Sequence, residues 1–147
     1  MRKNAVLLLI LSLIWFNSIM PAFIAPATYA GLSEESLLRI LDVSVQRVLQ
    51  SYNEEDPDKF ASVYPDSYFY IGAGKYFENV FIKTYKKDLG RFRSRELIEA
   101  ESGFDEDFPF LVYDSVFENH SRVKIKVSFT EENGLYKISS LQFDKAY

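Results

Sequence analysis

The chain has 147 residues, a formal net charge of −4 at pH 7 and no cysteine. Without cysteine it forms no disulfide and carries no lipoprotein anchor, because lipid attachment needs a cysteine at the cleavage site. A nucleic-acid partner is disfavoured, because the chain lacks the basic stripe that would neutralise phosphates. High aromatic content in periodic segments argues against disorder and favours a folded domain.

The first 30 residues have the pattern of an export signal. A positive start at Arg2 and Lys3 precedes an apolar run from Ala5 to Phe16, and small residues follow up to Ala30. We predict cleavage after Ala30, which releases one domain, residues 31–147, into the periplasm or the medium. Loss of two basic residues and no acidic one lowers the formal net charge to −6. An uncleaved N-terminal membrane anchor is the alternative.

Three helices are predicted after this segment. Ser33 is a good N-cap, and apolar residues then recur at helical spacing as far as Tyr52. Asp56-Pro57 begins a short second helix, which Pro65 ends. A third helix is predicted from about Lys75 to Leu89, with large apolar residues along one side.

The second half of the sequence predicts strands. Each is about ten residues long, and they are Phe92 to Glu101, Phe110 to Glu118, Arg122 to Glu131 and Leu135 to Phe143. Asn133-Gly134 predicts a tight hairpin that places Phe129 opposite Ile138. Continuing that register would turn the later apolar residues outward, so we predict a β-bulge near Ser139-Ser140 that bends the sheet.

Helices followed by a meander of long strands predict an α+β domain. In this fold the N-terminal helices pack on a strongly curved antiparallel sheet of about four strands, giving a cone-like shape. The sequence has no recognisable cofactor motif and no metal-ligand spacing, so we predict no cofactor and no metal ion. Once the signal is removed, we predict no membrane contact.

Two short motifs resemble a known group of proteins. A charged helix end, Lys86-Lys87-Asp88-Leu89-Gly90, runs into a strand with Ser94-Arg95-Glu96-Leu97, and a late strand has Gly134-Leu135-Tyr136-Lys137-Ile138. Over about residues 33 to 144 the chain resembles the nuclear-transport-factor-2-like and cystatin-like superfamily, in particular small exported bacterial proteins of uncharacterised function. The resemblance implies a cone with an apolar pocket between helices and sheet. It implies no activity, because enzymes and non-enzymes share this scaffold.

Arg95 is the first candidate for ligand binding, since the resemblance singles out Ser94-Arg95. Strict alternation would place Arg91, Arg93 and Arg95 on one strand face, where they bind an anion or pair with Glu99, Glu101 or neighbouring strand carboxylates. A structural salt bridge or a helix C-terminal cap is the alternative role of Arg95. The predicted ligand-binding set at the mouth of the cone is Arg95, Tyr68, Tyr70, Phe81 and Tyr85.

Asp114 is the weak candidate for catalysis, because it is the exceptional carboxylate inside a predicted strand. Burial next to a tyrosine would allow it to act as an acid or base. Three functions follow from these patterns. The first is a non-catalytic binding module for a small apolar or amphipathic ligand or a partner protein. The second is an isomerase-, dehydratase- or hydrolase-like enzyme using Asp114, and the third is an interaction domain that forms a homodimer.

Overall fold

The computed structural model describes residues 31–69 and 72–145. The predicted export signal, its cleavage site after Ala30 and the candidate Tyr70 lie outside the described residues. No helix within the described part of the chain combines the length and the apolar character needed to cross a membrane.

Helix α1 spans Glu34–Glu54 and confirms the first predicted helix. The Ser33 side chain caps it by accepting a hydrogen bond from the Ser36 backbone N–H at 3.2 Å. Its apolar stripe is buried, and this stripe consists of Leu37, Leu41, Val45, Val48, Leu49 and Tyr52. Burial of such a face supplies most of the stability of a helix in a protein.

Helix α2 is shorter than predicted and spans Pro57–Ala61. The Asp56 side chain caps it by accepting from two backbone N–H groups. A 3-10 turn, Asp66–Tyr68, follows instead of a continued helix. Pro65 explains the break, because a proline disfavours helical backbone in the residue before it.

Helix α3 covers residues 73–89 and is wider than an α-helix over most of its length. An α-helical turn, Ala73–Tyr76, leads into a π-helical stretch, Phe77–Lys86, and a last turn, Lys87–Leu89. Its apolar residues recur every four positions, and in an α-helix each such step drifts by about 40°. Turns of the π type contain more residues and so offset this drift, which keeps the repeat facing the core. This is the physical reason why the observed helix differs from the predicted α-helix.

The sheet is antiparallel, open and five-stranded, with the order β1-β3-β4-β5. The strands are β1 Phe92–Leu97, β2 Gly103–Asp105, β3 Phe108–Phe117, β4 Val123–Glu132 and β5 Leu135–Lys145. Strand β2 pairs with the beginning of β3 and β1 pairs with its end, so β1 and β2 lie along the same side of β3. The α+β class is therefore confirmed, with one strand more than expected.

The additional strand arises because the predicted strand Phe92 to Glu101 is interrupted. The Ser102 hydroxyl donates to the Ile98 carbonyl at 2.9 Å and accepts from the Val112 N–H at 2.9 Å. This hydroxyl takes the place of a direct backbone bond and lets the chain turn through Glu99–Glu101 before β2 begins. Serine side chains that bond locally to the backbone compete with a regular ladder in this way.

The predicted hairpin and bulge between β4 and β5 are confirmed. Phe129 pairs with Ile138, whereas Ser128 pairs with Ser140, so Ser139 is the extra residue. After the bulge, Phe143 pairs with Ile125 on the core side of the sheet. A bulge increases local twist and bends the strand, which accounts for the curvature here.

Aromatic rings fill the space between the helices and the inner face of the sheet. Tyr52 of α1 lies edge-on to Phe117 with ring centroids 5.8 Å apart, and Phe81 of α3 lies 6.1 Å from Phe143. Edge-on and tilted pairs of this kind stabilise a core beyond their buried area. The resemblance implies an apolar pocket between helices and sheet, whereas in this region the described residues form a packed aromatic core.

Candidate functional site

A groove of about 800 Å³ lies between α1 and β1. We call it the α1–β1 groove. Its walls are Leu38, Arg39, Asp42 and Gln46 of α1, Phe92, Arg93, Ser94, Arg95 and Leu97 of β1, and Glu99 of the turn after β1. Tyr113 of β3 also lines it. The groove therefore combines charged, amide, hydroxyl and apolar side chains from α1, β1 and β3.

Asp42, Gln46, Arg95 and Tyr113 form one connected polar network in this groove. The Arg95 guanidinium donates to the Asp42 carboxylate at 2.8 Å and to the Gln46 amide oxygen at 2.5 Å. The Tyr113 hydroxyl donates to the other Asp42 oxygen at 2.6 Å. The guanidinium carbon also lies 5.0 Å from the centroid of the Tyr113 ring, within cation–π range.

Helical and strand periodicity bring these four side chains together. Asp42 and Gln46 are four residues apart on α1 and therefore lie on the same helix face. Arg95 pairs with Ser115 in the β1–β3 register, and Tyr113 is two residues further along β3 on the same face. Helix α1 thus supplies two groups to the network, and β1 and β3 supply one each.

A bulge in β1 determines the direction of Arg95. The register shifts between Phe92 and Ser94, so Arg93 is the extra residue. The prediction that Arg91, Arg93 and Arg95 share one face is therefore wrong, because a bulge interrupts strict alternation. Arg93 pairs with Glu118 at 2.8 Å, a carboxylate at the end of the predicted strand Phe110 to Glu118, as expected. The partner of Arg95 is Asp42 of α1 and not a strand carboxylate.

Tyr113 acts as a neutral hydrogen-bond donor. Burial raises the pKa of its hydroxyl well above the ordinary value, and the hydrogen bond to the Asp42 carboxylate raises this pKa further. A tyrosine whose proton is held this firmly is a poor general base or acid near neutral pH. The network can orient Arg95 and hold a ligand, but it offers no evident route for proton transfer.

The structure does not bring the predicted ligand-binding set together. Arg95 lines the groove, whereas Phe81 is only 1% exposed and belongs to the core. The Tyr68 hydroxyl donates to the Ser139 carbonyl at 2.5 Å, and Ser139 belongs to β5, the strand at the opposite edge of the sheet from β1. Tyr85 packs on Phe143 with centroids 4.7 Å apart. Phe81 and Tyr85 serve packing because the four-residue repeat of α3 faces the core, whereas Tyr68 lies outside α3 and is 44% exposed.

Asp114 lies on the outer face of the sheet, away from the helices. Its side chain is 42% exposed and lies 3.5 Å from the Arg122 guanidinium. Alternation along β3 turns Tyr113 and Ser115 inward and therefore turns Asp114 outward. The expected burial of Asp114 next to a tyrosine is therefore wrong, because the Asp114 carboxylate is exposed on the outer face.

Asp42 and Gln46 are site residues that the sequence did not predict. In the sequence they are two polar residues four positions apart beside the apolar stripe of α1. Ordinary surface residues show the same pattern, so it does not identify a site. Among the described residues there is no group of three or more His, Cys, Asp or Glu placed to hold a metal ion. His120 lies 3.8 Å from Asp88 in the turn before β4.

Comparison of this chain with protein-family models, curated proteins and solved structures gave no match. The resemblance to the nuclear-transport-factor-2-like and cystatin-like superfamily stays a prediction.

Proposed function

We propose that the chain is a non-catalytic binding module and that its ligand occupies the α1–β1 groove. The observation that carries this proposal is the fixed Arg95, whose side chain is only 11% exposed and is held by Asp42, Gln46 and Tyr113. A side chain locked in one position before the ligand arrives loses little entropy on binding. The same groove offers Leu38 and Leu97 for apolar contacts.

An enzyme of the isomerase, dehydratase or hydrolase type has less support. Its candidate carboxylate, Asp114, faces outward with Arg122, and Tyr113 keeps its proton. Acid–base catalysis needs a group whose pKa lies near the working pH and which can reach the substrate. Binding without chemistry is the function that agrees with both placements.

We propose in addition that residues 1–30 direct export, on the sequence pattern given above. The protein then works in the periplasm or the medium. Mass determination of the protein recovered from its own cell envelope or medium tests this: removal of the signal leaves a chain that begins at Gly31. A full-length mass in the membrane fraction would support the uncleaved anchor instead.

Native mass spectrometry of the same material tests the binding proposal. We expect a retained mass beyond that of the polypeptide, and we expect Arg39→Trp to remove it by filling the groove. Arg47→Trp is the matched control, because Arg47 is also an exposed arginine of α1 but does not line the groove. Equal retention by both variants, or a bare polypeptide mass in the wild type, would contradict the proposal.

A further inference from the structure

We propose that the α1–β1 groove binds an extended, acidic peptide segment, which adds to the sheet as a strand along the open edge of β1. This inference rests on the proposed function and names the class of ligand. Exposed edges of antiparallel sheets bind peptides in this manner through main-chain hydrogen bonds.

The hydrogen-bond pattern of β1 leaves two residues with backbone groups directed at the edge. The Ile98 N–H donates to the Val112 carbonyl at 2.8 Å, so this pair is on a hydrogen-bonded rung. Such rungs alternate in an antiparallel ladder, so Glu96 also bonds to β3, whereas Arg95 and Leu97 do not. Their N–H and C=O groups point away from β3, and no partner for them occurs among the described residues.

Asn53 shows what these groups require. Phe92 lies beyond the bulge, and there the Asn53 amide of α1 bonds to both backbone groups of Phe92, at 2.9 Å each. The side-chain amide thus replaces the peptide group of a neighbouring strand. Arg95 and Leu97 have the same requirement, and the groove lies in front of them.

The side chains around the groove favour an acidic ligand. Arg39 and Arg93 have side chains that are 77% and 55% exposed, and their ion pairs are with the exposed Glu35 and Glu118. Exposed ion pairs are weak, so both guanidinium groups can exchange partners for a ligand carboxylate. Asp42 is paired with Arg95, so Glu99 is the remaining acidic residue of the groove walls. The two exposed arginines, Arg39 and Arg93, outnumber it.

A second copy of the chain fits this edge less well than an acidic peptide. Two-fold pairing brings the same surface patch of both partners together, so Arg39 and Arg93 of one copy would lie near the arginines of the other. Like charges placed opposite each other destabilise a strand pair.

The test uses the full chain and a defined probe, an acetylated and amidated heptapeptide of alternating glutamate and valine with a fluorescent label. The comparison probe has the same side chains but carries N-methyl groups on every second backbone nitrogen. It is made in two versions, one methylated at odd-numbered and one at even-numbered positions. Fluorescence anisotropy measures the binding of each. We expect N-methylation to weaken binding about tenfold or more, because it removes the N–H groups that a strand donates.

Two variants of Leu97 examine the protein side of the same bonds. Leu97→Pro removes the edge-directed N–H, and proline is tolerated on an edge strand where that N–H faces away from the ladder. Leu97→Ala shortens the side chain but keeps the N–H. We expect Leu97→Pro to weaken the unmethylated probe about tenfold and Leu97→Ala to weaken it much less. Circular dichroism confirms folding, and the N-methylated probe still decides if Leu97→Pro does not fold.

Three results would overturn strand addition. Equal binding of both probes, with loss on Arg39→Trp, would leave groove binding intact but show that no strand forms. No binding at about 1 mM peptide would exclude this ligand class at any useful affinity. A dimer in light scattering that Leu97→Pro converts to monomer would assign the edge to a second copy.

Discussion

At the scale of single residues, Asp42 organises the groove, because its carboxylate accepts bonds from both Arg95 and Tyr113. Removing the charge leaves the Arg95 guanidinium nearly buried without an anion. An unpaired buried charge destabilises a protein far more than the loss of an exposed ion pair.

We therefore expect Asp42→Asn to lower the free energy of unfolding by about 1–3 kcal/mol, a value reduced for the partial exposure of Asp42. Adding Arg95→Met to this variant is expected to recover part of the loss, since the unpaired cation is then gone. Urea unfolding followed by circular dichroism measures both.

Asp114→Asn is the control for this comparison, because the Asp114–Arg122 pair is exposed on the outer sheet face. Its expected loss is within about 1 kcal/mol. If Asp42→Asn proved as mild as Asp114→Asn, the network would not have the structural role given to it here.

At the scale of elements, Gly90 makes the connection from α3 to β1 possible. Its φ is +75°, and an added Cβ would lie 2.7 Å from the Cβ of Glu118, which cannot move aside without the backbone. Residues other than glycine are strained in this conformation. The position of β1, and with it one wall of the groove, depends on this glycine.

We expect Gly90→Ala to lower the free energy of unfolding by about 1–3 kcal/mol. Gly74→Ala is the matched control, because Gly74 lies in the first turn of α3 with nothing within 4 Å of an added Cβ. That change should be neutral or stabilising by up to about 1 kcal/mol. Thermal unfolding of both variants measures the difference, and equal effects would contradict the strain at Gly90.

At the scale of the whole molecule, the aromatic core makes the fold sensitive to alkaline pH. Burial raises the pKa values of the hydroxyls of Tyr52, Tyr64, Tyr76 and Tyr113 above the ordinary value of 10.0. A raised pKa in the folded state means that the folded state holds the proton more tightly than the unfolded state. The resulting stability is complete below pH 10.0 and is lost as the pH rises above it.

These four tyrosines should therefore ionise as the fold opens, and not one by one. In a titration above pH 10, we expect their tyrosinate absorbance to rise together with the loss of the far-ultraviolet circular dichroism signal. Tyr64→Phe should reduce the amplitude of that joint step by about a quarter, since it removes one of the four groups. Ionisation of all four groups while the circular dichroism stays unchanged would show that solvent reaches the core.

Much of this architecture was predictable because it follows from local periodicity. The capped helix α1 and the β4–β5 hairpin depend on residues close together in sequence, and even the bulge at Ser139 followed from the conflict between the hairpin register and the apolar pattern. The α+β class followed from the order of these elements.

Only the tertiary structure showed which residues meet in the α1–β1 groove. Asp42 meets Arg95 across 53 positions of sequence, and no local pattern indicates that the face of α1 carrying Asp42 lies beside β1. The bulge at Arg93 lies where β1 begins and where Arg93 bonds to Glu118. Strict alternation places Arg93 and Arg95 on the same face, so the sequence pattern did not show that they have different partners. Periodicity determines which face of an element is buried, whereas long-range packing determines which faces meet and where an edge stays open.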